Sequence, residues 1–370
     1  AVHVIKPQFK ILAKTYSKFA IKISAKMGLE GLTGIGSYQL TRKDFFKSAD
    51  ILHLHIIHNG EFFNILDLPR LTHLKPTVWT IHDFWAFSGM CIYPFECAGL
   101  YSGCNGICPF PRGQSPFRHR IPAAHWRIKK YAYERSKLNL VVSSNWLLER
   151  IQKSPLLSHF PITRIPFGID LDEFRLRDKA EAKARLGIPP GDQVIMMRAA
   201  SEKYGYYSYL YKGIEWLRKA LEIYQPKRPT TLLILQDARE FEHLKGKYNL
   251  VNLSWADGEL LVDALSAADV FAMPSIQETF GVMAIEAMAC EVPVVVFDGT
   301  ALPEVIQAPR GGIVVSARDS TSLASAIAKL LENDDLRCQM GKTARALTEE
   351  QYNLPLYVNR HLDLYEKILK

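Results

Sequence analysis

From about residue 190 to residue 316, short apolar runs rich in β-branched residues alternate with stretches of helical period. Six such runs are present: QVIMMRAA, TTLLILQDA, YNLVNLSWA, ADVFAMPS, VPVVVFDG and GGIVVS. Strands that are apolar on both faces, with helical segments between most of them, are typical of a parallel sheet covered by helices on both sides. The pattern therefore predicts a Rossmann-like α/β domain.

The first half of the chain carries the same alternation over three runs: ADILHLHII, TVWTIHD and LNLVVSS. A segment rich in Cys and Pro, from residue 84 to about 123, separates the second run from the third. Because 370 residues exceed what one hydrophobic core usually organises, we expect two Rossmann-like domains facing across a cleft.

The boundary between the domains is predicted in ITRIPFGIDLDEF, residues 162 to 174, which ends one α/β unit at Pro166 and Gly168. The domains are then residues 1–165 and 166–354. Residues 355–370 have helical periodicity, and we expect this helix to cross back to the first domain. Its apolar residues available for one face are Leu356, Leu362, Leu364, Ile368 and Leu369.

The net charge of +8 favours anionic partners such as nucleotides, nucleic acid or acidic lipids. The densest basic stretch, residues 117–137, is interpreted as a solvated helix face; the alternative is a patch for anionic phospholipid headgroups. No apolar run is long enough to span a membrane, and no secretion signal opens the sequence. We expect a cytoplasmic protein, with peripheral contact at the inner face of the membrane as the open alternative.

Four of the six cysteines crowd into one segment: Cys91, Cys97, Cys104 and Cys108. Without a secretion signal, four neighbouring thiols suggest a structural tetrahedral zinc site. Their spacing lacks paired C-x-x-C knuckles, so a reduced loop and adventitious disulfides remain alternatives. Cys290 and Cys338 stand apart and are interpreted as small core residues.

Two glutamates stand eight positions apart in MPSIQETFGVMAIEAMACEVPVVVF, residues 273–297. Glu278 follows a predicted strand, at the sheet edge where open α/β sheets bind ligands. The helix that begins near Phe280 and Gly281 offers free N–H groups to an anion. Glu286 lies about 12 Å further along this helix, the length scale of a nucleoside diphosphate sugar. The alternative, that both acids are ordinary solvated charges, is weaker for Glu286 because its neighbours are apolar.

Two basic residues are predicted at the same sheet edge. Arg198 ends the run QVIMMRAA, and Lys212 opens the helical stretch YKGIEWL. A planar guanidinium together with an ammonium group is suited to binding a diphosphate.

The segment PSIQETFGVMAIEAMACEVPVVV resembles the E-x7-E signature of the retaining, family 4 (group 1) glycosyltransferases of GT-B architecture. The similarity extends through LSAADVFAMPS, DGTALPEVI, IPFGIDLDEF and TIHDFWAFSGMCIYPFEC, and so covers about residues 50 to 350. The last of these segments is similar to bacterial enzymes of exopolysaccharide assembly. The resemblance implies a GT-B fold, with an acceptor-side domain followed by a donor-binding domain.

The resemblance also implies which residues bind the donor. Arg198 and Lys212 would neutralise the diphosphate, although the spacing between them is longer than is usual in the family. Phe280 and Gly281 would offer backbone amides to sugar and phosphate, and Glu286 would bind the ribose.

The catalytic residues implied by the resemblance are Glu278, beside the transferred sugar, and His82, which would reach toward the donor sugar. His53, His55 and His58 are interpreted as structural. Family members open with a strand and a Gly-rich loop, and residues 1–10 show neither, which leaves open whether a native segment precedes residue 1.

The resulting hypothesis is a retaining, metal-independent hexosyltransferase of polysaccharide biosynthesis. Its donor is a UDP-sugar, or else a GDP-sugar, its acceptor is a glycan or lipid-linked saccharide, and no nucleic acid partner is expected. The alternatives are a related GT-B epimerase or hydrolase, and a non-catalytic basic protein that binds nucleotides or nucleic acid.

Overall fold

The computed structural model describes residues 31–34, 36–58, 62–105, 108, 119–199 and 206–370. The chain divides into two compact units. Among the described residues, the first unit comprises those within 31–143, 147–165 and 362–370, and the second comprises those within 144–146 and 166–361.

The first unit contains a four-stranded parallel sheet in the order β1-β2-β3-β4. Its strands are β1 (Leu52–Leu54), β2 (Thr77–Thr80), β3 (Asn139–Val142) and β4 (Ile162–Arg164). The sequence patterns predicted β1 to β3. They missed β4, which has three residues, is mostly exposed and therefore has no apolar pattern.

The second unit contains a six-stranded parallel sheet in the order β10-β9-β8-β5-β6-β7. Its strands are β5 (Gln193–Ala199), β6 (Thr230–Gln236), β7 (Asn249–Leu253), β8 (Val270–Met273), β9 (Val294–Phe297) and β10 (Gly312–Val315). All six correspond to predicted runs. Renumbered from β5, this is the 3-2-1-4-5-6 order of a Rossmann sheet, in which the strand order reverses between β5 and β8.

The described helices comprise fifteen α-helices and three 3₁₀ turns, Ile65–Asp67, Phe84–Phe87 and Arg239–Leu244. The α-helices are α1 (Gly36–Leu40), α2 (Asp44–Ser48), α3 (Leu68–Leu74), α4 (Gly99–Ser102), α5 (Ile121–Tyr133), α6 (Asn145–Gln152), α7 (Lys179–Arg185), α8 (Tyr206–Tyr211), α9 (Ile214–Ile223), α10 (Gly258–Ala267), α11 (Val282–Ala289), α12 (Leu302–Val305), α13 (Ser320–Glu332), α14 (Asp334–Gln351) and α15 (Leu354–Leu369).

Both faces of the six-stranded sheet are buried, as its uninterrupted apolar strands predict. Along β5, Val194 and Met196 pack into a cluster with α10 and α11, whereas Ile195 and Met197 pack into a second cluster with α9 and α13. Burying one such side chain stabilises the fold by about 1.5–3 kcal/mol. This two-sided core fixes the strand ends that carry the candidate site.

Three residues differ in exposure from what the sequence predicts. Leu362 and Leu369 lie on the exposed face of α15, whereas Leu364 is buried, because the helical period separates them. Cys290 is buried as predicted, but Cys338 is exposed on α14.

Among the residues that the structure describes, no helix combines the length and the apolar character needed to cross a membrane.

Candidate functional site: the carboxyl edge of the six-stranded sheet

The reversal of strand order between β5 and β8 opens a crevice at the carboxyl edge of a parallel sheet, where ligands bind in such folds. Arg198 is the last but one residue of β5, and Glu278 follows the end of β8 by five residues. Arg198, predicted to bind the donor, and Glu278, predicted to be catalytic, thus both lie on the chain segments that border this crevice.

Glu278 and Lys212 form an ion pair, with 3.2 Å between Lys212 Nζ and Glu278 Oε2. Both side chains are largely buried, at 11% exposure for the glutamate and 17% for the lysine. The predicted diphosphate-binding lysine therefore contacts the predicted catalytic carboxylate directly. Removing either partner would leave the other as a buried, unpaired charge.

The contact between these two segments depends on Gly213, which sequence analysis missed. Its backbone has φ +70°, and a Cβ atom there would lie 1.9 Å from the carbonyl oxygen of Pro274. The Ile276 N–H also donates to the Tyr211 carbonyl over 2.9 Å. Only glycine permits both this backbone and this approach, so Gly213 brings Lys212 to the loop that holds Glu278. The glycine directly before a helical pattern in YKGIEWL was the available signal.

Gly281 precedes α11 with φ +95°, and a Cβ atom there would lie 2.4 Å from a Leu302 methyl carbon. The Phe280 side chain is buried and makes edge-to-face contacts with Phe167 and Tyr352, at centroid distances of 5.1 and 5.7 Å. The ring of Phe280 thus anchors the loop in the core, which is compatible with a binding role for its backbone alone. The N–H groups at the start of α11 follow directly.

Glu286 lies on α11 and is half-buried. Its Oε2 atom is buried and has no hydrogen-bond partner among the described residues. Burial raises the pKa of Glu286 to about 7; the nearby Glu173 carboxylate adds to this effect, and Arg198 opposes it. Because buried polar atoms are usually paired, this oxygen is a candidate acceptor for a ligand hydroxyl.

The Arg198 guanidinium contacts neutral groups. Its Nε donates to Gln236 Oε1 over 3.3 Å, and its Nη1 lies 3.9 Å from Met283 Sδ. Its Cζ lies 5.2 Å from the ring centroid of Trp255. Within the described ranges, no carboxylate forms an ion pair with this arginine, so its charge is available to an anion.

His82, the predicted catalytic residue of the first unit, follows β2 at the carboxyl edge of the four-stranded sheet. Its Nε2 lies 3.0 Å from His55 Nδ1, so one of the two rings donates to the other. Burial lowers the pKa of His82 to about 4, assisted by His55 and His58 and opposed by Asp83. The imidazole is therefore neutral at pH 7.

The other histidines of this edge form a connected set. His53 Nε2 lies 2.8 Å from Thr80 Oγ1, and its ring stacks on His55 at a centroid distance of 4.4 Å. His58 Nε2 lies 2.8 Å from Asp83 Oδ2, and a small cavity borders this pair and His82. From the sequence, His55 was interpreted as structural. In the structure it contacts His82, and this contact could not be predicted from a pattern of alternating histidines.

Helix α5 holds the loop that follows His82. This helix lies in the basic stretch, residues 117–137, that was interpreted from the sequence as a solvated helix face. Arg127 and Lys130 are exposed, as that interpretation requires. Lys129 is instead fully buried, and its ammonium donates to the carbonyls of Trp85, Ser88 and Gly89. The buried ammonium is thereby solvated by backbone oxygens, and it fixes the 3₁₀ turn beside His82.

The four clustered cysteines are all half-buried. Burial, together with the nearby thiols of Cys97 and Cys108, raises the pKa of Cys104. In the part of the chain that the structure describes, no three His, Cys, Asp or Glu side chains are arranged to hold a metal ion. A zinc site in this segment stays a prediction from the sequence.

Most of the second unit is similar to a known protein family. Residues 178–347 match the family described as "Glycosyl transferases group 1". This region therefore resembles a group 1 glycosyl transferase domain. It contains all of the predicted site residues except His82.

The chain is also similar to individual glycosyltransferases over more residues than the family match covers. A GDP-mannose-dependent monoacylated alpha-(1-6)-phosphatidylinositol monomannoside mannosyltransferase of Corynebacterium glutamicum is 26% identical over 268 residues, 68% of each chain. A D-inositol 3-phosphate glycosyltransferase of Pseudarthrobacter chlorophenolicus is 28% identical over 355 residues, 88% of this chain and 74% of the relative. Other relatives are matched over less of their length, for example 20% of the Corynebacterium jeikeium D-inositol 3-phosphate glycosyltransferase.

Solved structures show the same fold. Sucrose-phosphate synthase from Thermosynechococcus elongatus superposes with a TM-score of 0.64 at 20% identity, over 90% of this chain and 78% of the other. Anabaena HepE in complex with UDP and glucose superposes with a TM-score of 0.65 at 15% identity, over 90% and 81%. These are GT-B structures, so the predicted α/β fold of GT-B class with Rossmann-like sheets is confirmed.

Proposed function

We propose that this protein is a retaining glycosyltransferase that moves a hexose from a nucleoside diphosphate sugar to a glycan or lipid-linked saccharide in polysaccharide biosynthesis. One observation carries the proposal. The region that matches the group 1 glycosyl transferases has two features beside its sheet crevice: Arg198, which lacks an ion-pair partner among the described residues, and the Lys212–Glu278 pair. The favoured donor is a UDP-sugar, with a GDP-sugar as the alternative.

The diphosphate is proposed to bind between Arg198, Lys212 and the start of α11. The guanidinium has a charge to offer, and the N–H groups that follow Gly281 add the positive end of a helix dipole. Lys212 would then share its ammonium between Glu278 and a phosphate oxygen. Since these groups can meet the negative charge of the diphosphate, the proposal requires no metal ion.

The two glutamates are proposed to bind the two ends of the donor. Glu278 would contact the transferred sugar, and Glu286 would accept hydrogen bonds from the ribose hydroxyls. The buried, unpaired Oε2 of Glu286 supports the second role, because a bound hydroxyl would supply the partner that it lacks among the described residues.

Departure of the nucleoside diphosphate builds negative charge on the β-phosphate and positive charge on the anomeric carbon. Arg198 and Lys212 would stabilise the first, and the Glu278 carboxylate the second. We propose front-face attack with retention, in which the leaving phosphate helps to deprotonate the acceptor. His82, proposed to reach the donor sugar, would offer the one donor and one acceptor of a neutral imidazole.

The names of similar proteins are consistent with either uracil or guanine as the base of the donor nucleotide. The Corynebacterium glutamicum relative is named as dependent on GDP-mannose, whereas HepE was solved with UDP and glucose. The exposed basic residues of α5, Arg127 and Lys130, support a further proposal of peripheral contact with anionic membranes, where each basic residue adds about 1 kcal/mol.

The proposal is tested by incubating the purified protein with a panel of UDP- and GDP-hexoses, with and without a lipid-linked saccharide, and analysing the products. Transfer that requires the acceptor and retains the anomeric configuration supports it. Products formed equally without acceptor would indicate an epimerase or hydrolase instead.

The donor clamp is tested by calorimetry with UDP and GDP. Arg198→Ala should weaken binding of the nucleotide that the parent protein prefers by roughly 2–4 kcal/mol, the cost of removing one partner of a buried charge pair. The matched control is Arg310→Ala, which removes an exposed arginine and should bind as the parent does. Unchanged affinity of Arg198→Ala would remove this residue from the site.

A further inference from the structure

Gln236, the last residue of β6, has a backbone conformation that glycine normally adopts. Its φ is +85°, in the left-handed region where a side chain is sterically disfavoured. Such conformations persist only when surrounding contacts enforce them, and they concentrate at functional sites. The position of Gln236 at the carboxyl edge of the sheet places this strain beside the proposed donor site.

The strained backbone accompanies a contact with Arg198. In the β5–β6 register, Arg198 is opposite Leu235, so Gln236 would by strand alternation direct its side chain to the other face. The left-handed conformation interrupts that alternation. The Gln236 side chain instead accepts a hydrogen bond from Arg198 Nε over 3.3 Å.

The chemistry of this contact differs from that of other arginines in the same unit. Arg177 and Arg185 both donate to the Asp263 carboxylate, which compensates their charge. Arg198 instead contacts an amide oxygen, a thioether sulfur and the face of Trp255, an exposed residue. These neutral groups can orient the guanidinium without forming an ion pair with it, so that its charge is available to an anion.

We propose that Gln236 is a positioning residue for the donor diphosphate: its neutral amide aims the Arg198 guanidinium without neutralising it. A carboxylate in the same place would also orient the arginine, but would compete with the phosphate. The inference rests on the proposed function, because it assigns Gln236 a task in the same donor site.

The decisive variant is Gln236→Glu, which keeps the shape and introduces the competing charge. UDP and GDP affinity, measured by calorimetry at pH 8, should fall by about tenfold or more, because the new carboxylate pairs with Arg198. The matched control is Gln225→Glu, an exposed residue after α9, which should bind nucleotide as the parent does.

A second variant, Gln236→Gly, separates positioning from structure. Glycine relieves the backbone strain, so the thermal midpoint should rise or stay constant, while loss of the contact with Arg198 should weaken nucleotide binding by about threefold to tenfold. A merely structural glutamine would leave nucleotide affinity unchanged.

The outcomes separate this inference from the proposed function. If Arg198→Ala weakens nucleotide binding while both Gln236 variants bind as the parent does, the positioning role is overturned and the proposed function stands. If Arg198→Ala itself binds normally, Arg198 is not part of the donor site and the positioning role is overturned, whereas the proposed function is then decided by the transfer assay alone. Should Gln236→Glu fail to fold, the affinity of Gln236→Gly decides the matter alone.

Discussion

Replacing Glu286 by glutamine should stabilise the fold at alkaline pH, although we propose that this residue binds the ribose. Burial raises the pKa of Glu286 from 4.5 to about 7 in the folded protein. Between these two values the folded state binds more protons than the unfolded state, so stability falls as the pH rises through this range. At about 1.36 kcal/mol for each pKa unit, the full penalty above pH 7 is about 3 kcal/mol.

A glutamine amide at this position would carry no charge, so the Glu286→Gln variant escapes this penalty. At pH 8 it should be more stable than the parent by up to about 3 kcal/mol, which corresponds to roughly 6–12 °C in the melting temperature of a unit of this size. At pH 5 the parent carboxyl is already protonated in the folded state. The difference between variant and parent should therefore shrink to less than about 1 kcal/mol there.

The assay is thermal and urea unfolding of parent and variant at pH 5, 6, 7 and 8. The control is Glu259→Gln, because Glu259 is an exposed carboxylate whose pKa is lowered by its hydrogen bond to Arg177. That control should show no stabilisation at pH 8. A melting-temperature difference for Glu286→Gln that is zero at pH 8, or the same at every pH, would refute the burial argument.

Three further predictions concern the remaining groups. Glu278→Gln should lower turnover by a hundredfold or more, on the order of 3 kcal/mol, while nucleotide affinity stays constant or rises, because Lys212 loses the carboxylate that competes with a phosphate. Glu286→Gln should instead mainly raise the apparent donor constant. Steady-state transfer with calorimetry checks both, and full turnover of Glu278→Gln would remove it from catalysis. His82 should stay neutral down to about pH 5. His55→Asn removes a neighbour that lowers the pKa of His82, so the NMR titration of His82 should shift to higher pH in this variant. An unshifted titration would contradict the coupling between the two histidines. If the segment 91–108 binds zinc, the purified protein should contain about one equivalent of metal, bound by thiolate sulfur. Metal analysis and thiol titration check this. Protein with neither bound metal nor metal-bound thiolates would leave the segment as an ordinary loop.

Local sequence patterns were sufficient to predict the class of fold and most of the strands. The runs that became β5 to β10 are apolar on both faces, and that local pattern follows from burial between two helical layers. The same kind of pattern could not predict β4, a short and mostly exposed edge strand. Apolar periodicity arises from burial, so a strand that is mostly exposed has no apolar periodicity. The spacing of Glu278 and Glu286 on either side of a helix start was likewise readable, because helix geometry is local.

Which side chains contact one another depends on the tertiary structure. The order of strands in the sheet sets β5 beside β8, and this long-range pairing, absent from any local pattern, brings Arg198 and Glu278 to one crevice. The contacts of Lys212 with Glu278, of His55 with His82 and of Gln236 with Arg198 join residues between 27 and 66 positions apart. Periodicity extends over a turn of helix or a few residues of strand, whereas charge compensation, buried pKa values and backbone strain depend on neighbours that only the folded chain supplies.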